Sequence, residues 1–189
     1  CSIYQIHHFL TFHLLLNAYV PLTLQMIPLF PHYVLLLIQC FFFHLIKSIL
    51  HQKGFLSIRH LLALEGFTDY DLYYDTNGKP HLKDGLHISI THSFIFSAII
   101  LSDIKVGIDV EKKRDKILRI AHKFNAVKEL SKLSLTSRIR KLTAIWCAKE
   151  SLYKGFNSAG LSFLNHIHIE DFGLDQNETT AIADFNNKT

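Results

Sequence analysis

The chain has 189 residues, enough for one substantial domain or two small ones, and its 49% hydrophobic and 19% charged content excludes a disordered polymer. The net charge of +4 suits an anionic small molecule or an acidic partner, but no dense basic stripe of the kind a nucleic-acid surface needs is visible. Three widely spaced cysteines, Cys1, Cys40 and Cys147, exclude a disulfide framework and a zinc knuckle, and point to a reducing cytoplasm.

The first fifty-odd residues do not match the rest. From Cys1 to Gln52 there is no Asp or Glu, and Lys47 is the sole Lys or Arg, while histidines stand at His7, His8, His13, His32, His44 and His51. A soluble surface normally mixes charges. Three readings compete. The apolar run from Tyr33 to Leu50 approaches the roughly 20 residues of a spanning helix, but it holds Gln39, His44 and Lys47. Pro21, Pro28 and Pro31 instead fit short strands and turns of a buried half. A fragment or out-of-frame stretch is the favoured reading, because the chain opens on Cys and lacks acids over this span. Residues 1–52 are accordingly set apart as an anomalous apolar segment without an assigned function.

Ordinary charge density returns at Lys53. Apolar positions Phe55, Ile58, Leu61, Leu62 and Leu64 predict a short amphipathic helix carrying Arg59, stopped by Gly66. A strand over 71–74 leads into the turn dipeptide Asn77-Gly78, followed by Lys79-Pro80. Alternation over 88–93, a more buried run over 95–101 and alternation again over 106–111 predict three strands of an antiparallel meander. Ile117, Ile120, Ala121, Phe124, Val127 and Leu130 predict one helix with a basic outer face of Lys116, Arg119, Lys123 and Lys128. The next helix is expected to start at Thr136 or Ser137 and to end at Gly155, with a last strand over 167–170.

Two of these elements carry the chemistry. In Gly107-Ile108-Asp109-Val110-Glu111 the two carboxylates lie two residues apart, so on a strand they share a face. In the run from Trp146 to Lys154, Glu150 and Lys154 stack one helical turn apart. Three carboxylates and a lysine that converge can hold Mg²⁺ beside a phosphate. Taken singly, the same residues describe a solvated strand face and an ordinary helix-surface ion pair.

Four segments stand in one order: Asn77 to Pro80, Ile88-Ser89-Ile90-Thr91-His92-Ser93, Gly107 to Glu111, and Trp146 to Lys154. On these residues the chain resembles the 4′-phosphopantetheinyl transferase superfamily over 53–170. It is most similar to the larger single-chain members, whose two similar halves form a pseudo-dimer. The resemblance implies an α+β fold, an antiparallel sheet packed against helices, with the first half incomplete or atypical and a transferase-like domain over 53–189. It implies transfer of 4′-phosphopantetheine from coenzyme A to a serine of an apo acyl or peptidyl carrier protein, as in a holo-[acyl-carrier-protein] synthase. The by-product is adenosine 3′,5′-bisphosphate.

The same resemblance assigns Asp109, Glu111 and Glu150 to Mg²⁺, and Glu150 also to the serine proton, directly or through water. Lys154 is assigned to the pyrophosphate and leaving group. Thr91 and His92 are assigned to coenzyme A phosphates, Lys79 to the adenine nucleotide and Arg59 to the 3′-phosphate. Lys149 is expected to face outward or to touch phosphate secondarily, and Trp146 to be core. The basic helix is a candidate docking surface for an acidic carrier protein, or a plain solvated face. A cytoplasmic monomer with no nucleic-acid or membrane partner is expected. The rivals are a non-catalytic relic that binds coenzyme A or a carrier domain, and a small membrane-anchored protein.

Overall fold

The computed structural model describes residues 48–93, 96–126, 128–156, 160–176 and 178–184. The expectations for the N-terminal segment fall outside the described residues, except over 48–52, which open the first helix. Among the described residues no helix is long and apolar enough to cross a membrane.

Helix α1 (Ile49–Leu64) begins a turn and a half earlier than its apolar spacing predicts. Its inner face, Ile58 and Leu62, is buried against Leu82 and Ile88, with Leu72, Ile90, Ile99 and Leu101 around them. It ends where predicted: Gly66 takes a φ of 84°, and the Phe67 amide reaches back to the Leu62 carbonyl at 3.0 Å. Strands β1 (Leu72–Tyr74) and β2 (Pro80–Leu82) form a hairpin in register Leu72↔Leu82. The Asp75 carboxylate closes its turn by accepting the Asn77 and Lys79 amides at 2.8 and 2.9 Å.

Strands β3 (His87–Ser93) and β4 (Phe96–Ser102) pair antiparallel along their full length, His87↔Ser102 to Ser93↔Phe96. Residues 106–111 do not complete the predicted meander. They form no strand; among the described residues the amides of Ile108 and Val110 bond the hydroxyls of Ser89 and Thr91. The described sheets are therefore three antiparallel pairs: β1–β2, β3–β4 and a C-terminal pair.

The long helix predicted over 117–130 is broken. Only α2 (Lys116–Ile120) is α-helical, followed by 3₁₀ turns at Ala121–Lys123 and Lys128–Lys132. Between them Phe124 is fully buried, and the Asn125 amide closes on the Ala121 carbonyl at 2.8 Å. Burying that ring turns the chain off the helical path. Helix α3 (Leu135–Phe156) starts earlier than expected, because Ser134 is the residue whose hydroxyl accepts the Ser137 amide, at 3.2 Å. Leu142 and Ile145 of α3 pack with Ile117, Phe124 and Leu130 to make a second core. Strand β5 (Ile167–Ile169) pairs with β6 (Ala181–Ala183), which the sequence reading did not anticipate. Helices and antiparallel pairs together make an α+β fold, with α3 packed against α2 and β5 and with α1 packed on β4.

Candidate active site

The site is built on the small-residue row of α3. Cys147, Ser151 and Gly155 recur one turn apart, and all three are buried. This row admits another backbone. A Cβ on Gly107 would lie 1.7 Å from the Ser151 carbonyl oxygen, and one on Gly155 would lie 3.3 Å from the Val106 carbonyl. Gly155 is therefore spent on this close approach inside the helix, not on the cap expected of it.

The approach delivers the carboxylates. The Asp109 side chain is 7% exposed, and its Oδ1 accepts Lys154 Nζ at 2.7 Å and the Thr91 hydroxyl at 3.2 Å. Its Oδ2 is buried and has no hydrogen-bond partner among the described residues. Lys154 also donates to the Ile108 carbonyl at 3.2 Å. Glu111 accepts the Ser93 hydroxyl at 3.1 Å. Glu150 completes the group. Burial first, then the Asp109 carboxylate, pushes its pKa above the ordinary value; Lys154 opposes the shift and Glu111 adds to it. The Cys147 thiol is pushed up by burial and by the adjoining Asp109 carboxylate, so it stays protonated. Lys79 reaches the same end of α3, donating to the Gly155 carbonyl at 2.9 Å, and burial followed by the neighbouring Lys105 lowers its pKa.

Thr91, Asp109, Glu111, Glu150 and Lys154 thus come together, with Lys79 at the adjoining helix end. Two sequence candidates do not join them. His92 alternates with Thr91 on β3 and points to the other side, toward α1, where Gly54 leaves room for its ring and His51 meets it edge-on at 6.2 Å. Arg59 lies on α1, pairs with Asp69 at 3.3 Å and covers the Phe55 ring. Lys149 is neither outward-facing nor a phosphate contact. It is 5% exposed and donates to the carbonyls of Phe124, Phe163 and Ile167 at 2.7, 2.5 and 2.6 Å. The sequence reading passed over Ser89 and Ser93, although their alternation with Thr91 opposite Ile88 and Ile90 was visible.

Among the described residues no three His, Cys, Asp or Glu side chains gather tightly enough to cage a metal ion. Mg²⁺ does not ask for a cage: it takes one or two carboxylates and completes its shell with water and substrate phosphate. Among the described residues, Asp109 Oδ2 lacks a partner and lies near the Glu150 carboxyl, whose pKa is raised by burial first and by Asp109 second; this fits such a cation. An open cleft of about 380 Å³ adjoins Glu150, walled by Ile120, Lys123, Trp146 and Phe163. Trp146 stands edge-on to Phe124 at 5.1 Å.

Residues 105–188, which hold Asp109, Glu111, Glu150 and Lys154, match the family model of the 4′-phosphopantetheinyl transferase superfamily. Over this stretch the chain is similar to that superfamily. The chain is also similar to the 4′-phosphopantetheinyl transferase gsp of Aneurinibacillus migulanus, 28% identical over 135 residues. The match covers 69% of this chain and 55% of the relative, so the chain spans about half the length of the relative it matches.

Proposed function

We propose that the protein transfers 4′-phosphopantetheine from coenzyme A to a serine of an apo acyl or peptidyl carrier protein. The observation that carries this reading is the convergence of Asp109, Glu111 and Glu150 beside Lys154, with Glu150 holding its proton more tightly than an ordinary carboxylate. The serine oxygen attacks the β-phosphorus of coenzyme A, the bond from that phosphorus to the oxygen of the adenosine bisphosphate breaks, and that oxygen leaves with the electron pair. Glu150 takes the serine proton, directly or through one water, the water relay suiting a carboxylate that also holds a cation, because ligation weakens it as a base. Lys154 exchanges part of its hold on Asp109 for the leaving pyrophosphate oxygen, and Lys79 faces the nucleotide from the end of α3. Asp109, Glu111 and Glu150 are the residues that would hold Mg²⁺, which when bound neutralises charge on the transferring phosphate. Positioning and electrostatics carry the catalysis, with no covalent enzyme intermediate.

The test is incubation with apo carrier protein, coenzyme A and Mg²⁺, read by intact mass. Gain of one phosphopantetheine on the carrier supports the reading; an unmodified carrier under conditions where a known transferase modifies it refutes it. Binding without turnover is the second reading. It draws on Arg59 being committed to Asp69 and on His92 facing α1, away from the carboxylates. Calorimetric titration of coenzyme A with and without Mg²⁺ separates the two when set beside the mass assay.

A further inference from the structure

A strand normally enters a sheet by exchanging amides and carbonyls with its neighbour. Among the described residues, 107–111 make no such exchange. Ile108 donates its amide to Ser89 Oγ at 3.1 Å, and Val110 donates to Thr91 Oγ1 at 3.2 Å. In the same register the Thr91 hydroxyl donates to Asp109 Oδ1 at 3.2 Å and the Ser93 hydroxyl to Glu111 Oε2 at 3.1 Å. Ser89, Thr91 and Ser93 are alternate residues of β3, so their hydroxyls rise from one face at the spacing of alternate residues on an extended chain. The pairs advance together, 89 with 108, 91 with 109 and 110, 93 with 111. We propose that this hydroxyl row is the positioning device of the site, replacing a backbone ladder with a side-chain clasp that aims the Asp109 and Glu111 carboxylates. This rests on the transferase reading only for its effect on catalysis; the clasp itself is a statement about the fold.

Thr91 is the centre of the row. A hydroxyl has one proton and two lone pairs. One lone pair of Thr91 takes the Val110 amide, and its proton goes to Asp109. A phosphate oxygen would need that same proton. The direct phosphate contact assigned to Thr91 by resemblance therefore competes with the bond that orients Asp109. Thr91 is 3% exposed, which favours the inward role.

Thr91→Val keeps the branched shape and removes the hydroxyl; Thr91→Ser keeps the hydroxyl. In the metal-free protein, amide hydrogen exchange at Val110 should speed up by about tenfold in Thr91→Val and return toward wild type in Thr91→Ser. Manganese affinity, read by electron paramagnetic resonance without carrier, should weaken by about tenfold, the usual scale for losing a group that orients a ligand. In turnover, kcat should fall while the KM for coenzyme A changes by less than about twofold. Ser93→Ala, at a half-buried position near the end of β3, should weaken manganese binding without unfolding and serves if Thr91→Val misfolds. Unchanged Val110 exchange in Thr91→Val, or a tenfold rise in coenzyme A KM with manganese affinity intact, would overturn the proposal. Should the wild type transfer nothing to any carrier, the transferase reading fails on its own, and Val110 exchange and manganese affinity still decide the clasp.

Discussion

Glu150 sits half-buried between two other carboxylates and Lys154, and burial with carboxylate repulsion outweighs the lysine. Its proton is therefore bound more tightly in the folded chain than in the unfolded one. The linkage sign follows: the folded state is favoured in full below the ordinary carboxylate pKa, and that contribution is lost as pH rises through the raised folded value. Metal-free protein should accordingly lose stability between those two values, and Glu150→Gln should flatten this part of the profile while abolishing transfer. Thermal melts of both proteins across the acid range, without divalent ions, check it; an identical slope in the variant contradicts the assignment. Asp109→Ala should lower transfer by at least about a hundredfold, since both the carboxylate and its grip on Lys154 go, and mass-resolved turnover with excess Mg²⁺ reads that loss. The three carboxylates were legible because strand and helix periodicities are fixed by geometry. Lys149 was not. In sequence it is one more cation beside Lys154, and only the fold shows that one residue's rotation carries it from the carboxylates into a nest of three carbonyls.

At the scale of elements, α3 joins the site to its support. Its small row takes the backbone of 106–111, and Lys149 from the same helix takes the Phe124 carbonyl after α2, the Phe163 carbonyl of the following loop and the Ile167 carbonyl of β5. Lys149→Met would leave three buried carbonyls without their donor, a loss of about 3 kcal/mol of folding stability by the usual cost of such groups. Burial lowers the Lys149 pKa to about 8, so the ammonium persists at neutral pH. Urea denaturation at pH 7 measures the difference. Gly107→Ala tests the other face of α3. Its Cβ would strike the Ser151 carbonyl, which belongs to a helix backbone that cannot step aside. The expected cost is about 2–3 kcal/mol by overpacking, with Asp109 displaced and transfer lost, whereas the wider clearance at Gly155 predicts a milder effect of Gly155→Ala. The glycines looked alike in sequence, as a strand start and a helix stop. Their shared contact was hidden because it joins residues distant in the chain. The strand expected over 106–111 from its alternation did not form. Its bonding partner was misread because alternation reports which side chains share a face, not what the backbone bonds to. The helix break at Phe124 was missed for a related reason: its spacing fits a helix, and tertiary burial overrides spacing.

Taken as a whole molecule, the chain carries a modest net charge of +4, unevenly spread. Lys112, Lys113, Arg114, Lys116, Arg119 and Lys123 are exposed along one continuous stretch that leads from Glu111 to the cleft beside Glu150, with Asp115 its lone acid. The break after Ile120 sharpens this arrangement, because Lys123 turns into the cleft wall while Lys116 and Arg119 stay on the outer surface. An acidic carrier protein approaching the carboxylates of the proposed site would meet this cationic border first. Complementary charge of this kind raises the rate of encounter more than it strengthens the final complex, and it is screened within about 8 Å at physiological ionic strength. Two consequences separate a docking border from a solvated face. The kcat/KM for carrier protein should fall steeply as salt rises, while the kcat/KM for coenzyme A should fall less. The double variant Lys116→Glu/Arg119→Glu should raise carrier KM by about tenfold with kcat nearly unchanged and a flattened salt dependence. Steady-state kinetics at several ionic strengths, with a neutral-surface peptide acceptor as control, distinguishes the cases. Equal losses on carrier and peptide would mean that the helix acts through the fold and not through encounter, and the border would then have no part in choosing the partner.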